Sequence, residues 1–595
     1  MSTSISPLLK FQQDGGFVDI QFNGPGYTWT NNRQGNSKIL QRLDRALANS
    51  QWIMKFPFAR LVHLPRVASD HCPLLLILTP NLHRRRKPFR IESWWFTLAG
   101  FKEKVKEIWL ASADTPLQRR LRNMAYSLRK WASSHRLNLR ARVAESINML
   151  SKLQELPINH PNRDGEGTSI TQLEDLMFKQ ELYWAQRAKD NWICNGDRNT
   201  KYFHMKATMR NRKNMITSLK NDAGKTVTDR VELQHLIDGH FEAFYTTPHT
   251  CDRSDSSWNI IKQHTPKISQ VEANNMSAAP NMTELREALF SMKPDKSPGP
   301  DGFSARFFQA NWDLVKCGLF SLVEKFFLTQ EAPSSINQTN IVLIPKNDQP
   351  VTIGDYRPIS LCNVTYKCLA KILANRVKTA LTSLIGKEQS AFVPGRNILD
   401  NYLIVQEVLH SFKTLKQQPG AFAAKIDLAK AYDRLNWDFI DTMLQNYGFP
   451  DKLRKMINWC IRTVRFSVLT DNENGKWFQP SRGIRQGCPL SPYIFILASN
   501  ALSLFLKEAA LCGSLNGFRF LRTGPAITHV MYADDLFIFE KSSQNEALRI
   551  QEILNIFCTI SGETINLQKS SIIFSHSTTS AIRESIQQIL NIAAH

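Results

Sequence analysis

No two of the ten cysteines stand three apart, so the chain has no C-x-x-C pair and no zinc knuckle or ribbon. They are scattered at positions 72, 194, 251, 317, 362, 368, 460, 488, 512 and 558. Met1 to Pro7 is rich in Ser and Thr and has no basic stretch ahead of an apolar core, so it does not read as a secretory signal. Sparse cysteines without a leader predict free thiols in a reducing, intracellular compartment, with nucleus and cytoplasm equally open. No apolar window reads as long enough to cross a bilayer; the nearest, Cys72 to Leu78, is short and holds a proline. No membrane partner is therefore expected. Internal repeats and low-complexity tracts are absent. Acidic residues are scarce: 52 Asp and Glu face 75 Lys and Arg, for a net charge of +23. Such an excess points to a polyanionic partner, usually nucleic acid. Residues 81–220 alone hold 28 Lys and Arg against 13 Asp and Glu. A solvated helical surface accounts for some of these charges but not for the surplus.

At 595 residues the chain exceeds one ordinary core, and about two to four domains or subdomains are expected. Residues 15–80 read as the end of an α/β or β-rich unit. The run Arg84-Arg85-Arg86-Lys87 between Pro80 and Pro88 reads as an exposed linker. Residues 90–220 are mostly helical by periodicity, and 221–280 are helical with less signal. Met292 to Asp301 is a loop dense in Pro, Gly and Asp. From there to about residue 575, short apolar strands alternate with helices.

Residues 530–539 read Val-Met-Tyr-Ala-Asp-Asp-Leu-Phe-Ile-Phe, two adjacent carboxylates in an apolar stretch. Aromatic and β-branched residues on both sides of Ala-Asp-Asp predict a hairpin with Asp534 and Asp535 at its tip. Left bare, the pair repel each other and lose solvation; a divalent metal, which favours oxygen ligands, relieves both problems. A plain surface turn is the competing reading. The best third carboxylate is Asp427, near the end of a strand predicted over Phe422 to Leu428, although Asp is also a frequent helix N-cap. If that strand lies beside the hairpin, the three carboxylates converge, and two Mg²⁺ ions about 3.5–4 Å apart would bridge them.

Several segments occur in a telling order: Lys425-Ile426-Asp427 with Ala431-Tyr432-Asp433, then Gly483-Ile484-Arg485-Gln486-Gly487-Cys488-Pro489-Leu490-Ser491-Pro492, then Tyr532-Ala533-Asp534-Asp535. This series resembles the palm signature of reverse transcriptases. Upstream, Lys296-Ser297-Pro298-Gly299-Pro300-Asp301-Gly302, Ile344-Pro345-Lys346, Tyr356-Arg357-Pro358-Ile359-Ser360-Leu361 and Gly395-Arg396 narrow the resemblance to LINE-type non-LTR retrotransposon polymerases of the plant kind. The resemblance implies an α/β (α+β) fold: right-hand polymerase fingers and palm over 281–595, preceded by a basic helical linker over 81–280. It implies Asp427, Asp534 and Asp535 as catalytic metal ligands, with the backbone carbonyl of Leu428 as a further ligand. Lys346 and Arg357 match basic residues that grip the incoming triphosphate, a task suited to the planar donor fork of Arg. Tyr432 matches the bulky gate against a ribose 2′-hydroxyl, and Gln486 with Gly487 a loop beside the templating base pair. Lys569, in Asn566-Leu567-Gln568-Lys569-Ser570, matches a position suited to contacting phosphate or protonating the leaving pyrophosphate. A core aromatic, a loop residue and surface lysines are the competing readings of these positions.

Residues 1–80 resemble the end of an endonuclease/exonuclease/phosphatase domain, a partial α/β-sandwich nuclease. Tyr27-Thr28-Trp29, Arg42-Leu43-Asp44-Arg45 and Ser69-Asp70-His71-Cys72-Pro73 carry this. The resemblance implies that Asp70 and His71 act as base and orienter. The family's metal-binding Glu and its substrate Asp and Asn lie upstream of such a segment, so no nicking activity and no independent folding are expected. A thumb follows the palm in the family, and it is expected to be missing here. In the linker, Trp192 and Gly196 to His204 resemble a segment of the same elements and suit RNA contact; an amphipathic helical pair packed on the fingers is the alternative. The resemblance thus predicts an RNA-directed DNA polymerase acting on an RNA template, a DNA primer or target and dNTP. A truncated remnant that only binds nucleic acid is the alternative, and an endonuclease the third reading.

Overall fold

The computed structural model describes residues 7–34, 37–57, 59–66, 69–78, 88–134, 139–156, 160, 165–188, 200–246, 257–415, 419–471, 473–521 and 523–594. The basic run 84–87 and the linker stretch 192–199 lie outside these residues, as do Cys194 and Cys251.

Side chains alternate across a strand, and the strand Ala421–Asp427 shows how that builds the main sheet. Phe422, Ala424 and Ile426 enter the large central core, while Ala421 and Ala423 enter a smaller cluster with Val408, Phe412, Phe518 and Val530. Its neighbour Asp535–Lys541 divides in the same way: Leu536 and Ile538 to one side, Phe539 to the other. The sheet runs His529–Tyr532, Asp535–Lys541, Ala421–Asp427, Ser571–Phe574, with every pair antiparallel. A second sheet is ordered Tyr356–Cys362, Gln338–Pro345, Arg465–Thr470, Glu473–Asn474; its 338–345 strand is antiparallel to the first and parallel to the third.

The helix Ser491–Leu511 packs inside the central core. Contrary to the sequence expectation, it is long and apolar enough to cross a membrane by length and composition, with 78% of that window buried inside the protein. Ser499, Asn500 and Ser503 interrupt its apolar run. Their polarity is absorbed internally: Asn500 Nδ2 donates to Tyr447 Oη at 2.9 Å, and Ser503 Oγ meets His529 Nε2 at 2.8 Å.

The same core extends across residue 281 without a break. Trp94, Trp95, Phe101, Leu121, Leu128 and Trp258 belong to one cluster with Phe303, Phe326, Leu497 and Phe557. The loop rich in Pro and Gly fastens the two stretches together. Gly302 has φ +81°, and a Cβ there would lie 2.2 Å from the Phe89 carbonyl oxygen; only glycine allows this approach. Ile91 N donates to Gly302 O at 3.0 Å, and the rings of Phe89 and Phe303 lie 5.3 Å apart. The helix Arg230–Thr246 packs elsewhere: Leu233, Ile237, Phe241 and Tyr245 are buried against Ile341, Phe466, Val468 and Phe478 of the second sheet. A two-stranded hairpin, Leu219–Lys220 with Thr226–Val227, precedes it where helix was expected, because Asn221 and Gly224 make a tight turn.

Residues before 80 are β-rich. The strands Phe22–Asn23, Arg60–His63 and Leu74–Ile77 form a sheet over a small core of Ile20, Ala48, Ile53 and Leu61, and Met205 packs against that core.

Candidate active site

The hairpin expected at 530–539 is present, and its tip is the pair Ala533-Asp534. Asp427 lies directly across from Asp535 in register, and Tyr532 pairs with Asp535 on the other side. By the two-residue alternation, Asp427 and Asp535 share the face of Ala423 and Phe539. Like charges directly opposite on a sheet are destabilising. No described Lys or Arg forms a salt bridge with any of the three carboxylates. Burial in the surrounding protein, then the charges of Asp535 and Asp427, push the Asp534 carboxyl above the ordinary aspartate range. These hard, crowded, uncompensated oxygens suit a divalent cation. Among the described residues no group of three His, Cys, Asp or Glu is closed into a ligand shell. The Leu428 carbonyl accepts no hydrogen bond among the described residues. The bridge Leu428↔Ile565 is made by the flanking bonds Asn566 N to Asp427 O and Ala429 N to Thr564 O.

Ala533 takes φ +55°, a left-handed conformation costly for a residue with a Cβ. Gln389, buried, grips this residue at both ends: Ala533 N donates to Gln389 Oε1 at 3.0 Å, and Gln389 Nε2 donates to Ala533 O at 3.3 Å. Arg396 in turn fixes the Gln389 loop by donating to the carbonyls of Gln389, Ile385 and Gly386. Asn401 Nδ2 adds a bond to Met531 O at 2.7 Å. Sequence reasoning missed Gln389. Its only signal was its place seven residues before Arg396 in a segment already marked by Gly395-Arg396.

The turn holding Lys569 is tied to Asp427. Asn566 N donates to Asp427 O at 2.8 Å, and Asp427 N donates to Ser570 Oγ at 3.1 Å. Lys346 Nζ donates to Gly354 O at 2.7 Å, and burial and then the charges of Lys569 and Arg357 hold its pKa below the usual lysine value. The charges of Lys569 and Arg357 thus reach Lys346, and none of the three forms a salt bridge with a described carboxylate. Tyr432 stacks on Phe495 at 4.7 Å, and burial together with the Asp534 charge raises its hydroxyl pKa. Gln486 O accepts from Ser360 N at 2.9 Å, and Gln486 Nε2 donates to Asp433 Oδ2 at 3.0 Å. Gly487 has φ +111°, and a Cβ there would meet Ser360 O at 2.9 Å.

The structure corrects one pairing. Asp70 does not orient His71: Asp70 Oδ2 accepts from Trp29 Nε1 at 3.1 Å, while His71 Nδ1 meets Asp44 Oδ2 at 2.8 Å. Adjacent residues at a strand-like bridge point to opposite sides, so Asp70 and His71 cannot share a partner face, whereas Asp44 reaches His71 from a separate segment. Burial raises the Asp44 pKa, but hydrogen bonds from His71 and Thr28 outweigh that and hold it below the usual aspartate value.

Asp427 and Asp535 on adjacent antiparallel strands, with Asp534 at the hairpin tip, are the candidate active site. Residues 344–584 match the reverse transcriptase family, described as RNA-dependent DNA polymerase. These residues form a domain of the reverse transcriptase family, and the chain is similar to proteins of non-LTR retrotransposons. It is 24% identical over 576 residues to an uncharacterized 149 kDa protein of transposon TX1 from Xenopus laevis, covering 92% of this chain and 42% of that protein. It is 29% identical over 289 residues to the Pol polyprotein of the type-2 retrotransposable element R2DM of Drosophila melanogaster, covering 48% and 25%. Against the RNA-directed DNA polymerase of mobile element jockey from Drosophila funebris, identity is 21% over 62% of this chain and 39% of that protein. The chain spans less than half the length of these curated relatives. A solved telomerase from Candida albicans, in complex with a fragment of telomeric RNA, aligns over 46% of this chain and 47% of its own at 15% identity, with a TM-score of 0.31.

Proposed function

We propose that this chain extends a DNA primer on an RNA template by two-metal nucleotidyl transfer from dNTP. The observation that carries this reading is the register Asp427↔Asp535, with Asp534 beside it at the hairpin tip. In the reaction the primer 3′-oxygen forms a bond to the α-phosphorus, the bond from that phosphorus to the β-phosphate oxygen breaks, and pyrophosphate leaves; the 3′-hydroxyl proton passes to solvent. Asp427, Asp534, Asp535 and the Leu428 carbonyl would hold two Mg²⁺ ions, which when bound stabilise the attacking and leaving oxygens. Arg357 and Lys346 bind the triphosphate charge. Lys569, in the turn whose Asn566 N–H donates to Asp427 O, would give a proton to the leaving pyrophosphate. Tyr432, braced by Phe495, presses against the sugar edge and disfavours a 2′-hydroxyl.

The eight described cysteines are free, which supports a reducing, intracellular setting. The test is dTTP incorporation on poly(rA)/oligo(dT) with Mg²⁺, beside Asp534→Ala. Incorporation by the wild type and not by the variant is expected. Equal incorporation by both would sink the polymerase reading. No incorporation by either, with tight salt-sensitive binding, would favour a remnant that only binds nucleic acid.

A further inference from the structure

Tyr245 lies near the end of the helix Arg230–Thr246, well ahead of the matched domain, yet its hydroxyl reaches the heart of the site. Tyr245 Oη donates to Asp433 Oδ1 at 2.7 Å across 188 residues of sequence. Gln486 Nε2 donates to the other carboxylate oxygen at 3.0 Å. Tyr245 is 4% exposed and Asp433 2% exposed, so water does not compete for these bonds. An ionised carboxylate accepts only, which dictates that the amide NH₂ of Gln486 turns to Asp433 and its carbonyl oxygen turns away. The backbone on both sides is fixed. Gly483 has φ +84° and lies so close under Asp433 that a Cβ would come within 2.4 Å of the Asp433 carbonyl oxygen. Ile484 N donates to Tyr432 O at 2.6 Å. Gln486 thus has a single held orientation against Asp433, on which Lys346 also acts.

We infer that Tyr245 is a positioning residue of the nucleotide site: through Asp433 it sets the Gln486 side chain so that an acceptor oxygen faces the incoming deoxynucleotide. The linker helix is then part of the polymerase site. The substrate group such an acceptor suits is a hydroxyl or amine donor on the sugar or base. This inference rests on the polymerase reading above.

Tyr245→Phe removes only the hydroxyl and keeps the ring against Phe466 and Phe478. Loss of a buried hydrogen bond to a charged group predicts a rise of roughly tenfold in KM for dNTP, with kcat changed far less. Gln486→Met should raise KM similarly, and adding Tyr245→Phe to it should cost nothing further, because the effect runs through Gln486. Equilibrium binding of a fluorescent dNTP to the full chain is measured in parallel, since it needs no turnover. An unchanged KM and affinity in Tyr245→Phe, or fully additive effects in the double variant, overturn the inference. If the wild type binds the triphosphate but does not incorporate it, the polymerase reading fails by itself, and the affinities of the same three variants still decide the role of Tyr245.

Discussion

Asp427 and Asp535 stand directly opposite each other on adjacent antiparallel strands, two acidic side chains on one face of a sheet. A fold does not gain stability from such a pair. Asp535→Asn should therefore raise the melting temperature slightly in EDTA, by the equivalent of about 0.5 kcal/mol, while abolishing incorporation. Adding Mg²⁺ should stabilise the wild type and leave the variant nearly unmoved. Thermal melts with and without Mg²⁺ read this directly; equal Mg²⁺ shifts in the two proteins would contradict it.

Ala533 keeps its left-handed backbone because Gln389 holds both its N–H and its carbonyl. Gln389→Leu should drop kcat at least tenfold, because a slack tip misplaces Asp534. It should also destabilise the fold by about 1–3 kcal/mol through the unpaired groups left behind. Urea unfolding and steady-state kinetics measure the two effects separately. Wild-type kcat in a folded variant would rule out the clamp.

Asp433 is buried, and desolvation pushes its pKa from 3.8 up to about 6 against the bonds from Tyr245 and Gln486 and the charges of Lys430 and Lys346. Glu563, buried with both oxygens unpartnered, adds its own field, and Arg434 and Lys430 face the same pocket. The raised value means that the protonated form favours folding. That contribution is complete below pH 3.8 and is lost as pH climbs through about 6. Function runs the other way, because only the ionised form accepts from both donors. KM for dNTP should worsen as pH falls through about 6. In Tyr245→Phe, which lacks one bond favouring the ionised form, the acid limb should move to higher pH. Initial rates across pH 5 to 8 would show it; an identical limb in both proteins would refute it.

Gly483 and Gly302 both combine a positive φ with backbone closer than any Cβ tolerates. Gly483→Ala and Gly302→Ala should each cost about 1–3 kcal/mol or more. Gly483→Ala should also lower activity, since it displaces Asp433, whereas Gly302→Ala acts through the contact with Phe89. Chemical denaturation compared with specific activity of the folded fraction distinguishes the two.

Much of the site was legible because it obeys short-range rules. The strand predicted over Phe422 to Leu428, with Asp427 near its end, came from its own segment, and the aromatic and β-branched flanks of Asp534-Asp535 placed the hairpin. What could not be read were side-chain partners contributed from far along the chain. Gln389 under Ala533, Tyr245 on Asp433 and Asp44 on His71 follow from no periodicity; each depends on how separate elements pack. The helix Ser491–Leu511 was misjudged for a related reason. Its Ser and Asn residues look like breaks in an apolar run until Tyr447 and His529 are seen to satisfy them.

The core that passes unbroken from Trp94 and Trp258 into Leu497 and Phe557 bears on how such polymerases can be exchanged. A chimera joined at residue 281 would graft one half of a shared interior onto a foreign half. It would also leave Asp433 facing whatever replaces Tyr245. The segment transferable between elements is therefore the stretch from Phe89 onward with its helices, and a swap limited to the signature motifs would carry the carboxylates without the scaffold that aims them.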